Sequence, residues 1–284
     1  MSTTHTVLVP FEPPDSDPVP PVIVETLAAM EVVALGHYGL PEQTPPSVGR
    51  DRFEADARAA LDDLARPFVD AGVPVTTRLV FGKARDGTID RVAVEEDCDV
   101  IPTPGRAEAV ERLIVPLRGE ENVDRILSVV AELLATTDAS VTLFHADGDA
   151  DRLPGEEPLA DATGRLVEAG VDRAPIGREL STDDDAGGRI VDLGDAFDLI
   201  VLGETEPSLR DRMLGTAPAQ VTADTDEPTF VVRTPGVRSP DPERRVPRSS
   251  GAPVRAPSPA SGVRRRDRRR RLPAPDRVRR AVGR

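Results

Sequence analysis

The chain has 284 residues, room for two modest domains, and a formal net charge of −14 that is unevenly placed. From Thr234 onward 16 Arg stand against 4 acidic residues (+12), which leaves 20 Lys+Arg against 46 Asp+Glu (−26) on residues 1–233. An acidic body argues against nucleic acid as the partner of residues 1–233. The lone Cys98 excludes an intramolecular disulfide or a Cys-based metal site.

Lys83 is the only lysine. An acidic surface almost free of lysine suits a cytoplasm of multimolar salt, where a Debye length of about 3 Å or less screens self-repulsion. The expectation is a halophilic, high-G+C host; the alternative is a merely acidic mesophilic protein. No apolar run approaches the ~18–20 residues of a membrane span, so a cytoplasmic protein without a membrane partner is expected. His5, His37 and His145 are far apart in sequence.

In chain order, Val7-Leu8-Val9-Pro10 reads as a short buried strand. A Pro-rich segment follows, and a helix over about 20–30 with Ile23, Leu27 and Met30 on one face. Val32 to Gly36 is a second strand, and 38–49 a loop. Residues 51–71 keep helical spacing through Phe53, Ala57, Leu61, Leu64 and Phe68, with Pro67 as a kink and Gly72 just past the end. A third strand over 74–81, a short helix over 86–96 and a fourth strand at Val100-Ile101 complete the first half.

The pattern then restarts. Leu113-Ile114-Val115-Pro116 echoes Val7-Leu8-Val9-Pro10. Asn122 is a candidate N-cap for a helix striped by Val123, Ile126, Leu127, Val130 and Leu134. Val141 to His145 is a strand whose end matches the one at His37. Leu-Val-Glu-Ala-Gly-Val at 166–171 answers Phe-Val-Asp-Ala-Gly-Val at 68–73, and Asp198-Leu199-Ile200-Val201 answers Asp99-Val100-Ile101-Pro102. A strand over 176–180 and a helix over 186–197 lie between. The offsets are 106, 98 and 99 residues, so the chain reads as a tandem repeat.

Alternating β and α with short connections predicts a doubly wound parallel sheet in each half. The last stretch, Asp198 to Arg233, reads as a βαβ unit: a strand ending in Gly203, a loop, a helix, Gly215-Thr216 and a strand Thr229-Phe230-Val231-Val232. Both apolar runs lack alternation and read as strands buried on both faces. The first half has only Pro102 to Glu111 at the corresponding place, so it lacks the final helix and fifth strand. The expected organisation is a truncated domain over 1–108, a complete one over 109–235 and a tail over 236–284.

The tail holds Pro, Ser, Gly and a run of arginines at 264–266 and 268–271, with few large apolar residues. Such a segment cannot bury a core and is expected to be disordered. Three readings stay open: an out-of-frame or newly acquired extension, a tether to the acidic body or a partner, and a nucleic-acid arm, which high salt disfavours.

With the βαβ unit, the repeat and His145 at its strand end, residues 5–235 resemble the universal stress protein family in a two-domain form. The resemblance implies an adenine-nucleotide α hydrolase-like fold, domains paired through the fifth strand as a pseudo-dimer, and a possible homodimer through the fifth strand of the second half. Nucleotide-binding members carry Gly, two residues, Gly, nine residues, Gly and then Ser or Thr after strand four. Gly203 matches the first glycine and Gly215 and Thr216 the end. Glu206 occupies the second glycine's place, and eight residues (207–214) follow instead of nine. The family's acidic residue after strand one is matched by Glu12 in the first half, whereas Arg118 stands there in the second.

The candidate binding residues are therefore Gly203, Glu206, Gly215, Thr216 and Arg118. Glycines let backbone N–H groups approach an anion, and a helix N-terminus adds partial positive charge. The same glycines also serve a strand exit and a helix start. Glu206 could oppose a triphosphate, and Arg118 could meet a phosphate. No nucleophile–base pair, Walker loop or metal-ligand spacing is present in the sequence. The expectation is a non-enzymatic regulatory module with a degenerate ATP or AMP site. The alternatives are an ATP-binding, ATP-hydrolysing stress protein and a ligand-free scaffold or transporter-associated interaction protein.

Overall fold

A computed structural model of the chain describes residues 4–103, 105–117, 122–146, 156–172, 175–181, 196–204 and 226–234. The first half runs β1 (Thr6–Phe11), α1 (Pro21–Thr26), β2 (Glu31–Gly39), α2 (Pro46–Asp70), β3 (Val75–Gly82), α3 (Arg85–Glu95) and β4 (Val100–Thr103). The second runs β5 (Arg112–Pro116), α4 (Val123–Leu134), β6 (Ser140–Ala146), α5 (Glu156–Glu168), β7 (Ile176–Ser181), β8 (Leu199–Gly203) and β9 (Thr229–Val232). The helix read over 186–197 lies outside the described residues except at its end, as does the tail over 236–284.

Boundaries differ from expectation where proline is involved. α2 begins at Pro46, inside the expected loop, because a proline at the first helical position loses no hydrogen bond. It continues through Pro67 to Asp70. α1 is only six residues long and ends at Thr26.

Among the described residues the strands form one sheet, ordered β3-β2-β1-β4-β9-β8-β5-β6-β7. Within each half the order is third, second, first, fourth, and those neighbours are parallel. The halves meet at β9. It pairs parallel with β8, from Ile200↔Thr229 to Gly203↔Val232. Its other side pairs antiparallel with β4, from Val100↔Val232 to Thr103↔Thr229. The first half lacks a fifth strand of its own, and the last strand of the second half occupies that place. Both flanks of β9 are thus filled within the chain, so a second copy could add there only by displacing β4 or β8.

The parallel strands are apolar on both faces because both faces are covered. Val7, Val9 and Phe11 of β1 and Leu113 and Val115 of β5 join one large core with α1, α2, α4 and α5. Leu8 faces the opposite way with α3 residues Ile89 and Val92. Ile114, Ile200 and Leu202 pack with Phe144 on that second face in the other half. Phe230 and Val232 of β9 belong to the large core, so that core runs unbroken from one half to the other.

Two aspartates hold the amino ends of the strands. Asp99 donates its N–H to the Thr6 carbonyl at 2.7 Å and accepts the Thr6 N–H at Oδ2 at 2.9 Å. Asp198 does the same for Arg112, at 2.9 Å each way. The echo of Asp99 by Asp198 in sequence is thus an echo of role.

Candidate functional site

In open α/β sheets ligands bind beyond the carboxyl ends of strands, where the strand order reverses. In the second half that place lies between β5 and β8. α4 starts here, and Gly203 closes β8 beside it. A Cβ on Gly203 would stand 2.8 Å from Ile126 Cδ1 and 3.9 Å from Asn122 Nδ2. The glycine therefore admits close approach of α4 to the strand exit, whatever else it does. Of the candidate binding residues, Gly203 is placed at this edge, while Arg118, Glu206, Gly215 and Thr216 lie outside the described residues.

Asn122 precedes α4 in the left-handed region, with φ 63. Its side chain does not cap the helix as expected. Its Nδ2 donates to the Val232 carbonyl at 3.3 Å and ties the helix start to β9.

Glu204, next after Gly203, turns its carboxylate back toward β9. It accepts the Thr234 N–H at 3.1 Å, and its own N–H donates to the Val232 carbonyl at 2.7 Å. Arg233 faces it, Nε 3.9 Å from Oε2, with both side chains buried. The Arg233 N–H donates to the Asp99 carbonyl at 2.8 Å. The Asp99 carboxylate in turn pairs with Arg125 of α4 at 3.2 Å. Sequence reading named Asp99 only as the counterpart of Asp198 and gave none of these charges a partner, because the partners sit far away in the chain.

The two strand-end histidines occupy matching places. Each lies one residue past the last partner of its half's first strand, Gly36 for β1 and Phe144 for β5. His145 Nδ1 sits 2.8 Å from the Leu117 carbonyl, which fixes its N–H there. His37 is buried, and its Nε2 has no hydrogen-bond partner among the described residues. Burial lowers its pKa, against the pull of the nearby Glu12 carboxylate.

A cleft of about 780 Å³ opens at the carboxyl ends of β1 and β4, in the half where no binding residue was expected. Val9, Phe11, Ile23, Leu27 and Phe230 supply its apolar surface. Glu12 stands on the rim. The Glu12 carbonyl accepts the N–H groups of Asp15 and Ser16, and its own N–H donates to Ser16 Oγ at 2.6 Å. Its carboxylate pairs with Arg85 Nε at 2.6 Å.

The opposite wall comes from the segment entering β9. Gly105 passes so close to it that a Cβ would stand 2.2 Å from the Pro228 nitrogen, and the Arg106 N–H donates to the Asp226 carbonyl at 2.7 Å. Only glycine fits that crossing. The sequence signal was present, a glycine in the connection after β4, but its partner was not. Among the described residues no cluster of His, Cys, Asp or Glu is arranged to hold a metal, and no helix is long and apolar enough to cross a membrane.

No protein-family model matches the chain, and no curated protein matches its sequence. Solved structures do match. A universal stress protein from Archaeoglobus fulgidus aligns with 81% of this chain and 96% of its own, at 14% identity and a TM-score of 0.59. A putative universal stress protein from Pseudomonas aeruginosa aligns with 82% of this chain and 94% of its own, at 13% identity and a TM-score of 0.50. The likeness is one of fold: the chain carries the universal stress protein fold.

Proposed function

We propose that the protein is a regulatory binding module of the universal stress type, which holds an adenine nucleotide weakly at the carboxyl edge of its second half and does not turn it over. The observation that carries this reading is the position of Gly203, at the exit of β8 against the start of α4, on that fold. The two halves act as domains over 1–108 and 109–235. Backbone N–H groups at Gly203 and Gly215 face the phosphates, the Thr216 hydroxyl donates to a phosphate oxygen, and Arg118 supplies a cation after β5. Glu206 opposes a long phosphate chain, so AMP is held at least as well as ATP. The acidic body works in a salt-rich cytoplasm, where its charge is screened.

The test is thermal unfolding of the full chain in molar KCl with ATP, AMP and Mg²⁺. At tenfold excess over Kd a ligand stabilises by about 1.4 kcal/mol, roughly 3–5 °C for a body of this size. The expected result is an upward shift with no phosphate release, lost in Gly203→Asp and Thr216→Val. Absence of a shift at millimolar nucleotide contradicts binding, and phosphate release contradicts a non-enzymatic role.

A further inference from the structure

We propose that the free edge of β3 is a docking site for another protein, which adds an extended basic segment to the sheet as a further strand. Its residues are not those of the nucleotide site proposed above.

β3 closes one end of the sheet and pairs with β2 alone among the described residues. The Val32 N–H donates to the Pro74 carbonyl at 2.8 Å, and the Leu40 N–H to the Gly82 carbonyl at 2.9 Å. Backbone groups alternate in direction along a strand of such a pair. The even-numbered residues therefore bond β2, and the N–H and C=O groups of Val75, Thr77, Leu79 and Phe81 point outward. No described residue bonds these outward groups.

Folded proteins ordinarily blunt such an edge with a short strand, lysine, proline or a bulge. β3 has none of these. It runs eight residues, Val-Thr-Thr-Arg-Leu-Val-Phe-Gly, in unbroken register from Val32↔Val75 to Gly39↔Gly82. The strand at the other end of the sheet, β7, has six residues and carries Gly177, Arg178 and Glu179. β3 is the longer and less charged template, and main-chain pairing to such an edge is a general mode of peptide recognition.

The side chains set the class of guest. On the α2 face, Val75 and Leu79 pack against the large core but stay partly exposed at the edge. Guest residues beside them are apolar. On the α3 face stands Arg78, with Nη2 3.4 Å from Glu95 and Nε 3.2 Å from Glu96. Two carboxylates on one guanidinium leave that face negative, and both are partly open to solvent. Guest residues there are basic. Residues 1–233 carry −26 in sequence, which draws a basic guest and opposes a second copy of the same acidic body. The guest is therefore a segment of a different protein in which apolar and basic residues alternate.

Labelled peptides as long as β3 are the probes: Arg and Val in alternation, Glu and Val in alternation, and Arg and Val in two blocks. Each is titrated into the full chain in molar KCl, which screens unspecific attraction to the acidic body. The alternating Arg/Val peptide is expected to bind about tenfold more tightly than the other two. In its complex, amide exchange slows at Thr77 and Leu79, whose N–H groups point outward, and stays unchanged at Thr76 and Arg78. Thr77→Pro removes an outward donor that β2 does not use and weakens this peptide by about tenfold. Glu95→Gln combined with Glu96→Gln, both off the strand, narrows its preference over the Glu/Val peptide. Equal binding of the block peptide, or unchanged exchange at Thr77 and Leu79, overturns strand addition. Equal binding of the Glu/Val peptide overturns the basic class. Undiminished binding in both variants overturns the site, as does no binding by the folded protein. Slow exchange at Thr77 and Leu79 that strengthens with the concentration of the protein alone identifies a second copy as the occupant and overturns the proposal.

Discussion

Cys98 sits at the entry to β4, buried, and burial pushes its thiol up to about 12 although the nearby Arg233 draws it down. A neutral, covered thiol is a poor nucleophile. Ellman's reagent at pH 8 is expected to leave the native protein unmodified and to titrate one thiol in denaturant. Cys98 packs as a small hydrophobe in the core around Leu8 and Val92.

His37 gives a pH signature. Burial lowers its pKa in the folded state. Below about pH 6.5 the unfolded chain takes up the proton and the folded chain resists it. Stability at this site therefore falls as pH drops below that value. Urea unfolding at pH 5 and pH 7 is expected to show a smaller loss in His37→Gln than in the wild type.

Asp198 works in the opposite sense. Burial alone would raise its pKa, but the Arg112 guanidinium and the N–H groups of Glu111 and Arg112 outweigh it and lower the pKa. Its contribution is complete above the unfolded carboxyl pKa and is lost as pH falls through the lower folded value. Asp198→Asn is expected to cost about 1 kcal/mol at pH 7, the low end for a charge-assisted bond because the Arg112 partner is half exposed. The echo of Asp99 by Asp198 was legible in the sequence. Their use was not, because it depends on which amides the topology brings alongside.

At the scale of elements, β9 carries the most consequence per residue. Phe230 is fully buried in the core common to both halves. Phe230→Ala is expected to destabilise by about 3–5 kcal/mol, read by chemical unfolding, and to loosen both halves together. The missing fifth strand of the first half could be read from chain length after Ile101. That β9 would fill the gap could not, because a strand's partner is not a local property of its sequence.

α4 shows the same limit. Its apolar stripe was plain, and Ile126, Leu127, Val130 and Leu133 are buried. Its polar face carries contacts that no local pattern announces. Arg125 pairs with Asp99, Glu132 bonds the ring and the N–H of His5, and Thr136, just beyond the helix, donates to the Thr26 carbonyl at 3.2 Å. Positions 125 and 132 fall on one helical face, seven residues apart, and that face, with Thr136 beyond the helix end, meets the first half. Glu132→Ala leaves the buried His5 without its acceptor. It is expected to cost about 1–3 kcal/mol, measured by urea unfolding at pH 7.

For the whole molecule, charge and topology make separate claims. Residues 1–233 carry −26 in sequence. Exposed pairs such as Arg58–Glu54 and Arg91–Glu95 offset little of that repulsion. Thermal stability is expected to rise steeply from low to molar KCl, and a flat dependence contradicts a halophilic design. The sheet claim is stronger: with β9 paired on both sides and one core through both halves, the body unfolds as a unit. Native-state hydrogen exchange of the full chain tests this most directly. The account predicts that slow amides of β1 and β4 exchange with the same opening free energy as those of β5, β8 and β9. Faster, independent opening of β1 and β4, with β8 and β9 still protected, would contradict it.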